Sequence, residues 1–346
     1  MTVETLAAER LLDLAARIAR AHGMSAEDAH LLADTLVTAE LWGHGSHGML
    51  RLSWYMARVR SGAIDLNTRP EVIGEHRALI QMDGRDALGQ RVALNAMQTA
   101  VARARAFGVG AVAVRHSNHF GTAAYFTRHA ARQGCAALLF SNASPAMAPW
   151  GGRDKRVGNN PWSIAVPGGA LGEVVLDIAN TAVARGKIYL AAERGEPIPD
   201  HWALDAGGQP TARAEEALAG LLQPIAGHKG YGIALMIDLL AGVLTGSSFG
   251  QSVIGPYKPE GRSGAGHLAI AIDISQLMPL DEFHARVACL VAEIRSSAPA
   301  EGSPGVFIPG ELESLSKARL ERSGIALPAA TWSGLLDLAQ GCGVDV

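Results

Sequence analysis

The chain has 346 residues, 48% of them hydrophobic and 18% charged, and its 30 Lys and Arg against 33 Asp and Glu give a net charge of −3. That length is ample for two packed domains, and the chain lacks the clustered Lys and Arg needed to neutralise nucleic-acid phosphates, so no nucleic-acid partner is expected. The longest greasy run, Gly232 to Leu244, is broken by Asp238 and falls short of the about 20 residues a bilayer requires, so no membrane partner is expected either.

The first 60 residues carry helical periodicity. Leu6, Leu11, Leu14 and Ile18 mark a first helix, and the acidic, amphipathic run from Met1 to Arg20 is unlike a secretory signal. Ser25-Ala26-Glu27-Asp28 resembles a capping box for a second helix through Leu32, Leu36 and Val37. A third, with Leu52, Met56 and Val59 on one side, stops at Ser61-Gly62. Strands are then expected at 78–83, 109–114, 135–140, 162–166, 174–178 and 267–273, and helices at 90–107, 122–133, 187–194 and 229–244. The stretch 203–212 reads as a connector, and the end is helical at 280–296, 311–324 and 330–340. The simplest assembly is an α/β domain at 76–275 inserted into a helical domain built from 1–75 and 276–346. Cys135, Cys289 and Cys342 are far apart with no C-x-x-C pair, as expected of reduced thiols in a soluble cytoplasmic protein.

Between the second and third helices lies Gly43-His44-Gly45-Ser46-His47-Gly48-Met49-Leu50-Arg51. If the helix starts at Ser46 or His47, then His47 and Arg51 stand one turn apart on one face. The guanidinium and the free N–H groups of a helix start suit a carboxylate, and the imidazole beside them can move a proton near neutral pH. A glycine-rich corner with surface histidines has the same letters. Gly43-x-Gly45-x-x-Gly48 also matches the dinucleotide fingerprint as a string, but that motif needs a preceding strand and residues 31–42 read as helix.

Four other places carry usable chemistry. His116-Ser117-Asn118-His119-Phe120-Gly121 leaves a strand and enters a helix, where open sheets hold pyrophosphates, although a polar capping turn looks alike. Gly158-Asn159-Asn160-Pro161 sits at a strand end, where the amides can meet substrate oxygens or mimic turns, while Asn142 reads as structural. Asp177 at a strand end can take ribose hydroxyls, and Arg185 or Lys187 can meet a carboxylate or an oxyanion, or simply pair in solvent. Gly227-His228-Lys229-Gly230 opens a long apolar helix in the manner of a phosphate cradle, without being a Walker motif. His44/His47 and His116/His119 with Asp177 would make a hydrolytic metal site. No H-E-x-x-H or cysteine framework accompanies them, and Arg51 beside a cation is unfavourable, so no metal is expected.

Read together, these stretches resemble the malate/L-lactate dehydrogenase family, which includes sulfolactate, ureidoglycolate and diketogulonate dehydrogenases and the cyclic-imino-acid reductases. The markers are Ser46-His47-Gly48 with Arg51, Asp83-Gly84, Leu88-Gly89-Gln90, Asn118-His119-Phe120-Gly121 and Pro149-Trp150-Gly151-Gly152. Asn160-Pro161, Asp177, Ala184-Arg185-Gly186-Lys187, His228-Lys229-Gly230 and Pro309-Gly310-Glu311 complete the series. The resemblance implies an oxidoreductase using NAD or NADP, a cofactor domain that is not a Rossmann fold, and a homodimer. It implies His47 as the proton donor, Ser46 tuning it and Arg51 holding a substrate carboxylate, with Asn159, Asn160, Arg185 and Gly186 as further substrate contacts and Lys187 easing negative charge. His119, Phe120, Gly121, Thr122, Ala123, Asp177, Ile178, Ala179, His228, Lys229, Pro309, Gly310 and Glu311 would line the cofactor. In some members the counterpart of His119 takes the acid/base role, which leaves the two histidines as alternatives. The family pattern Gly-Thr-Asn-Pro appears here with Asn159 in place of threonine. Lys187 stands where an imino-acid reductase has aspartate, which favours a small 2-oxo or 2-hydroxy acid over a cyclic 2-imino acid. A metal-dependent hydrolase and a non-catalytic ligand-binding module remain the more distant alternatives.

Overall fold

Periodic leucines and a serine cap shape the N-terminal segment in the computed structural model, which describes residues 5–346. Helices α1 (Ala8–Ala21), α2 (Ala26–Leu41) and α3 (Leu52–Arg60) follow one another. The Ser25 hydroxyl accepts the Asp28 N–H at 3.2 Å, satisfying one donor that the start of α2 leaves free.

Beyond α3 the chain builds a seven-stranded sheet. Its strands are β1 (Glu71–His76), β2 (Leu79–Asp83), β3 (Val109–Ser117), β4 (Cys135–Ser141), β5 (Trp162–Pro167), β6 (Glu173–Ile178) and β7 (Ala265–Asp273). They lie side by side in the order β1-β2-β3-β7-β4-β5-β6. Only β2 and β3 run parallel; every other neighbouring pair is antiparallel. A Rossmann domain requires successive parallel βαβ units, and this sheet does not contain them. Alternate residues of the central strands face α4 (Gly89–Phe107) and α5 (Ala124–Ala131), so that Val92, Met97, Val112, Val114, Phe126 and Leu139 share one core.

The remaining helices are α6 (Arg185–Arg194), α7 (Ala214–Ala219), α8 (His228–Ile237), α9 (Leu280–Arg295), α10 (Glu311–Ser323) and α11 (Ala329–Gly341). Leu335 and Ala339 of α11 pack with Leu11, Leu32, Leu36, Leu52 and Met56, and Thr5–Leu6 pairs antiparallel with Ile325–Ala326. The two ends of the chain therefore share a core, from which α9 stands apart.

Four local expectations are corrected. Strand β1 was not anticipated, because Glu71, Glu75 and His76 on an exposed edge hide its alternation; it carries the sheet to residues below 76. The helix expected at 122–133 is confined to Ala124–Ala131. The one expected at 229–244 runs as α8 only to Ile237 and continues as a π-helical stretch, Asp238–Val243. The supposed connector at 203–212 supplies Ala203–Leu204, paired with Leu221–Leu222 over a small core that includes Met147, Ile188 and Ile198.

Gly89 sets how closely the start of α4 approaches the loop after β3. At Gly89 an added Cβ would collide with the carbonyl oxygens of Asn118 and His119. Gly89→Ala should thus destabilise the fold by about 1–3 kcal/mol, as overpacking does. Gly334, inside α11 with open space around it, should by contrast gain up to about 1 kcal/mol on replacement by Ala. Chemical denaturation of the two variants against the parent checks both signs.

Candidate active site

The glycines between α2 and α3 allow two short 3₁₀ turns, Gly45–His47 and Met49–Arg51, before α3 begins at Leu52. The helix expected from Ser46 or His47 therefore starts later, and His47 and Arg51 do not share one α-helical face. A local bond couples them instead. Arg51 Nε donates to the Ser46 carbonyl at 2.6 Å while its guanidinium lies 4.1 Å over the Trp54 ring, and Ser46 Oγ is 3.0 Å from His47 Nδ1. The Glu40 carboxylate holds the second turn by accepting the Met49 N–H at 2.8 Å.

The loop between β3 and α5 brings a second imidazole to the first. His119 stacks on His47 with ring centroids 5.7 Å apart and planes 16° from parallel, and its Nδ1 lies 2.6 Å from the Tyr55 hydroxyl. Its neighbour Asn118 is fixed on all sides: the amide donates to the Asp86 and Ala87 carbonyls at 3.0 Å and accepts from Arg58 at 3.2 Å. His116 turns elsewhere, with φ +51° and Nδ1 3.2 Å from Asp83. Among the described residues no three His, Cys, Asp or Glu side chains converge as a metal set.

Shielding from water disfavours charge on both rings. It acts with the nearby Arg51 and His44 to hold His47 at about 3, and with Arg51 and His47 to hold His119 well below the ordinary imidazole range. Both rings are neutral near pH 7. Burial pushes the Tyr55 phenol up, so its proton stays on oxygen.

Ser46, His47, His119 to Ala123, Asn159 and Asp177 to Ala179 line one cavity of about 250 Å³. Its walls are largely apolar, with Phe120, Ile178, Val253, Ile254 and Pro256 available to a flat ring. The Thr122 hydroxyl is buried there without a partner, which leaves it free for a polar ligand. Asp177 behaves differently from its expected use. Its carboxylate accepts the Ala124 N–H at 2.7 Å, capping α5, and burial raises it to about 6. It thus takes a helix-start donor that a pyrophosphate was expected to use.

The other expected residues sit outside the cavity wall. Arg51 lies behind Ser46 and His47. Asn160 is fully buried and braces the fold, accepting from Ala143 N–H at 2.9 Å and donating to the Ala234 carbonyl at 2.7 Å. Arg185 donates to the Leu218 carbonyl at 2.7 Å, Gly186 faces the Ser46 side chain, and Lys187 is exposed in the first turn of α6. His228 meets the edge of Trp150 at 5.7 Å, and Lys229 is exposed. Pro309 accepts the Val175 N–H at 3.1 Å, Gly310 follows it against β6, and Glu311 pairs with Arg295 at 2.8 Å.

Sequence reasoning missed Tyr55, the cavity-wall residues Ser141, Ala143 and Ser144 beside Asn142, which it read as structural, and the loop at 253–256. Tyr55 had a signal, since it stands one helical turn beyond Arg51. The two loops had none, being short runs without periodicity. His44, also on the wall, lies 3.4 Å from Glu313 of α10.

Comparison with known proteins agrees with this architecture. Residues 6–336 match the family model described as malate/L-lactate dehydrogenase. The chain is 36% identical over 314 residues to the L-sulfolactate dehydrogenase of Methanothermobacter thermautotrophicus, covering 91% of this chain and 90% of that one. It is 37% identical over 318 residues to the (2R)-3-sulfolactate dehydrogenase (NADP(+)) of Chromohalobacter salexigens, covering 91% and 86%. The solved structure of sulfolactate dehydrogenase from Methanocaldococcus jannaschii superposes with a TM-score of 0.93 at 36% identity, over 99% of this chain and 98% of that one. A single family model spanning the helical part, the mixed sheet and the cavity loops places the chain in the malate/L-lactate dehydrogenase family.

Proposed function

We propose that this dehydrogenase moves a hydride reversibly between a nicotinamide cofactor and C2 of a small 2-oxo or 2-hydroxy carboxylic acid of malate or sulfolactate type. The observation that carries this is the pair of stacked, neutral imidazoles on the cavity wall with a guanidinium directly behind them. When bound, NADH or NADPH supplies the hydride. The apolar wall at Phe120, Ile178 and Ala179 would hold the flat ring, and the free Thr122 hydroxyl a polar group of the same cofactor. The Arg51 charge draws the substrate carboxylate toward Ser46 and His47. His47 gives a proton to the substrate oxygen in reduction and takes it back in oxidation, a contribution of about 10² to 10⁴ in rate. Asn159 offers an amide to the substrate, and Lys187, exposed at the start of α6, follows Gly186 in sequence.

The working form is a homodimer in the cytoplasm. Exposed apolar side chains on α8 and the π-helical stretch (Met236, Val243, Leu244) and on α9 (Leu290, Ile294) support the first part, and three free cysteines support the second. Met236→Glu combined with Leu244→Glu should halve the mass measured by light scattering; an unchanged mass removes this face from the interface.

His47→Ala should lower kcat for a panel of 2-oxo acids by at least about 100-fold while NAD(P)H affinity stays. Full activity in the variant rules out His47 as the acid, and preferential turnover of a cyclic imine shifts the substrate to that class.

The pH dependence of binding has a definite sign. Burial first, and the Arg51 charge after it, hold His47 down at about 3; a bound carboxylate that cancels the Arg51 charge removes the second cause, so His47 is raised and the complex takes up a proton. A non-reactive 2-oxo acid analogue should therefore bind more tightly as pH falls from about 8 to 5, by at most about tenfold per unit. Calorimetry in two buffers of different ionisation enthalpy reads the uptake directly, and none at any pH in that range would contradict the role of His47.

A further inference from the structure

The two histidines are held from behind by different hydroxyls, and the difference sets what each can do. Ser46 Oγ, 3.0 Å from His47 Nδ1, is a rotor that can donate to that nitrogen or accept from it. The His47 Nε2 can then exist with or without its proton while the bond behind it persists. Tyr55 is not such a rotor. Its ring is 2% exposed in the core shared by α1, α2, α3 and α11, and its hydroxyl lies in the plane of the ring, 2.6 Å from His119 Nδ1.

The direction of that bond follows from chemistry. A phenol O–H is a stronger donor than an imidazole N–H, and an imidazole nitrogen a stronger acceptor than a phenol oxygen, so the short contact runs from Tyr55 to Nδ1. With Nδ1 an acceptor, the neutral ring must carry its hydrogen on Nε2. The charges facing His119 are Arg51 from the turn before α3 and Arg58 from α3, with His47 and His267 beside it, and none of them favours an imidazolium. The backbone that carries the ring is held in place, because Gly89 packs against the His119 carbonyl and the Asn118 side chain is bonded to Asp86, Ala87 and Arg58.

We infer that Tyr55 is a positioning residue that locks His119 as a permanent Nε2–H donor, so that His119 polarises the substrate oxygen while His47 alone exchanges the proton. This rests on the dehydrogenase reading for the identity of the ligand but not for the state of the ring. It also separates the two histidines, which the sequence leaves as alternatives. No proton leaves His119 in either direction of the reaction; the proton gained by the substrate oxygen comes from His47 Nε2, and the electron pair arrives with the hydride.

The test is ¹⁵N NMR of protein labelled at histidine, with the His119 signals assigned by their loss in His119→Gln. In the parent protein His119 should show a single tautomer, protonated at Nε2, throughout the neutral range. In Tyr55→Phe it should become a mixture of tautomers, and kcat/KM for the 2-oxo acid should fall. The expected fall is comparable to the about 10- to 100-fold that removing the group behind a working histidine costs in metal sites, with NAD(P)H affinity unchanged. His119 protonated at Nδ1 in the parent, or an unchanged single tautomer in Tyr55→Phe, overturns the assignment. If Tyr55→Phe does not fold, the parent spectrum still decides the tautomer. A parent that shows the Nε2–H tautomer but reduces no 2-oxo acid would leave the Tyr55 assignment standing and the proposed reaction refuted.

Discussion

The site depends on one helix, α3, being held rigidly between the helical core and the sheet loops. Leu52, Tyr55 and Met56 anchor it among α1, α2 and α11, and polar groups from it and from the turn before it reach the site loops. Arg51 bonds back to Ser46, Tyr55 to His119, and Arg58 to Asn118 and to the carbonyls of Lys258 and Gly261. Arg51, in the turn that leads into α3, and Tyr55 and Arg58 on the helix together fix the two imidazoles and the segment that follows the 253–256 wall. Displacing this helix would separate His47 from His119 without breaking any strand pairing.

The same enclosure sets the electrostatics. Two imidazoles stacked beside a guanidinium cannot both carry charge in a site sheltered from water, and here neither does. Under the proposed function, an anionic substrate would change that balance, because its carboxylate would answer the charge on Arg51 and raise His47. Asp177 reflects the same shielding with the opposite sign: its carboxyl is raised to about 6 although it caps a helix start. The cavity favours neutral groups until a ligand supplies the missing charge.

Much of this was legible in the sequence, because the local signals were strong. Ser25 and Asp28 mark the start of α2, alternation marks β3, β4 and β5, and the density of His, Ser and Arg at 44–51 marks the site. Other parts were hidden for physical reasons. The edge strand β1 is exposed, carries Val72 and Ile73 on opposite faces and is interrupted by a register shift between Val72 and Gly74, so period two left no trace. The 3₁₀ turns before α3 use the same glycines as a tight helix start, and nothing in their letters separates the two. Asn160 and Arg185 looked like ligand contacts, yet both are committed to backbone carbonyls that come from distant segments, Ala234 and Leu218. Whether a polar side chain is free or already satisfied is a property of the whole fold.

The location of the cavity follows from strand directions. Strand β7 runs antiparallel to both of its neighbours, β3 and β4, so these two point the same way and deliver their C-terminal ends, His119 to Ala123 and Ser141 to Ser144, to one edge of the sheet. The start of β7, with Ser263 and Ala265, must arrive at the same edge. Since β5 is antiparallel to β4, its beginning at Asn159 and Pro161 comes there too, and β6, antiparallel to β5, brings its end at Asp177 to Ala179. Five segments from across 150 residues converge by direction alone, at the C-terminal end of the only parallel pair. An open parallel sheet gathers its ligand loops by repeating one strand direction. This sheet reaches a comparable convergence by alternation, because ends and beginnings of neighbouring antiparallel strands share an edge. The glycine string at 43–48 follows a helix rather than a strand, and Gly48 leaves room for the Glu40 carboxylate that holds the second turn.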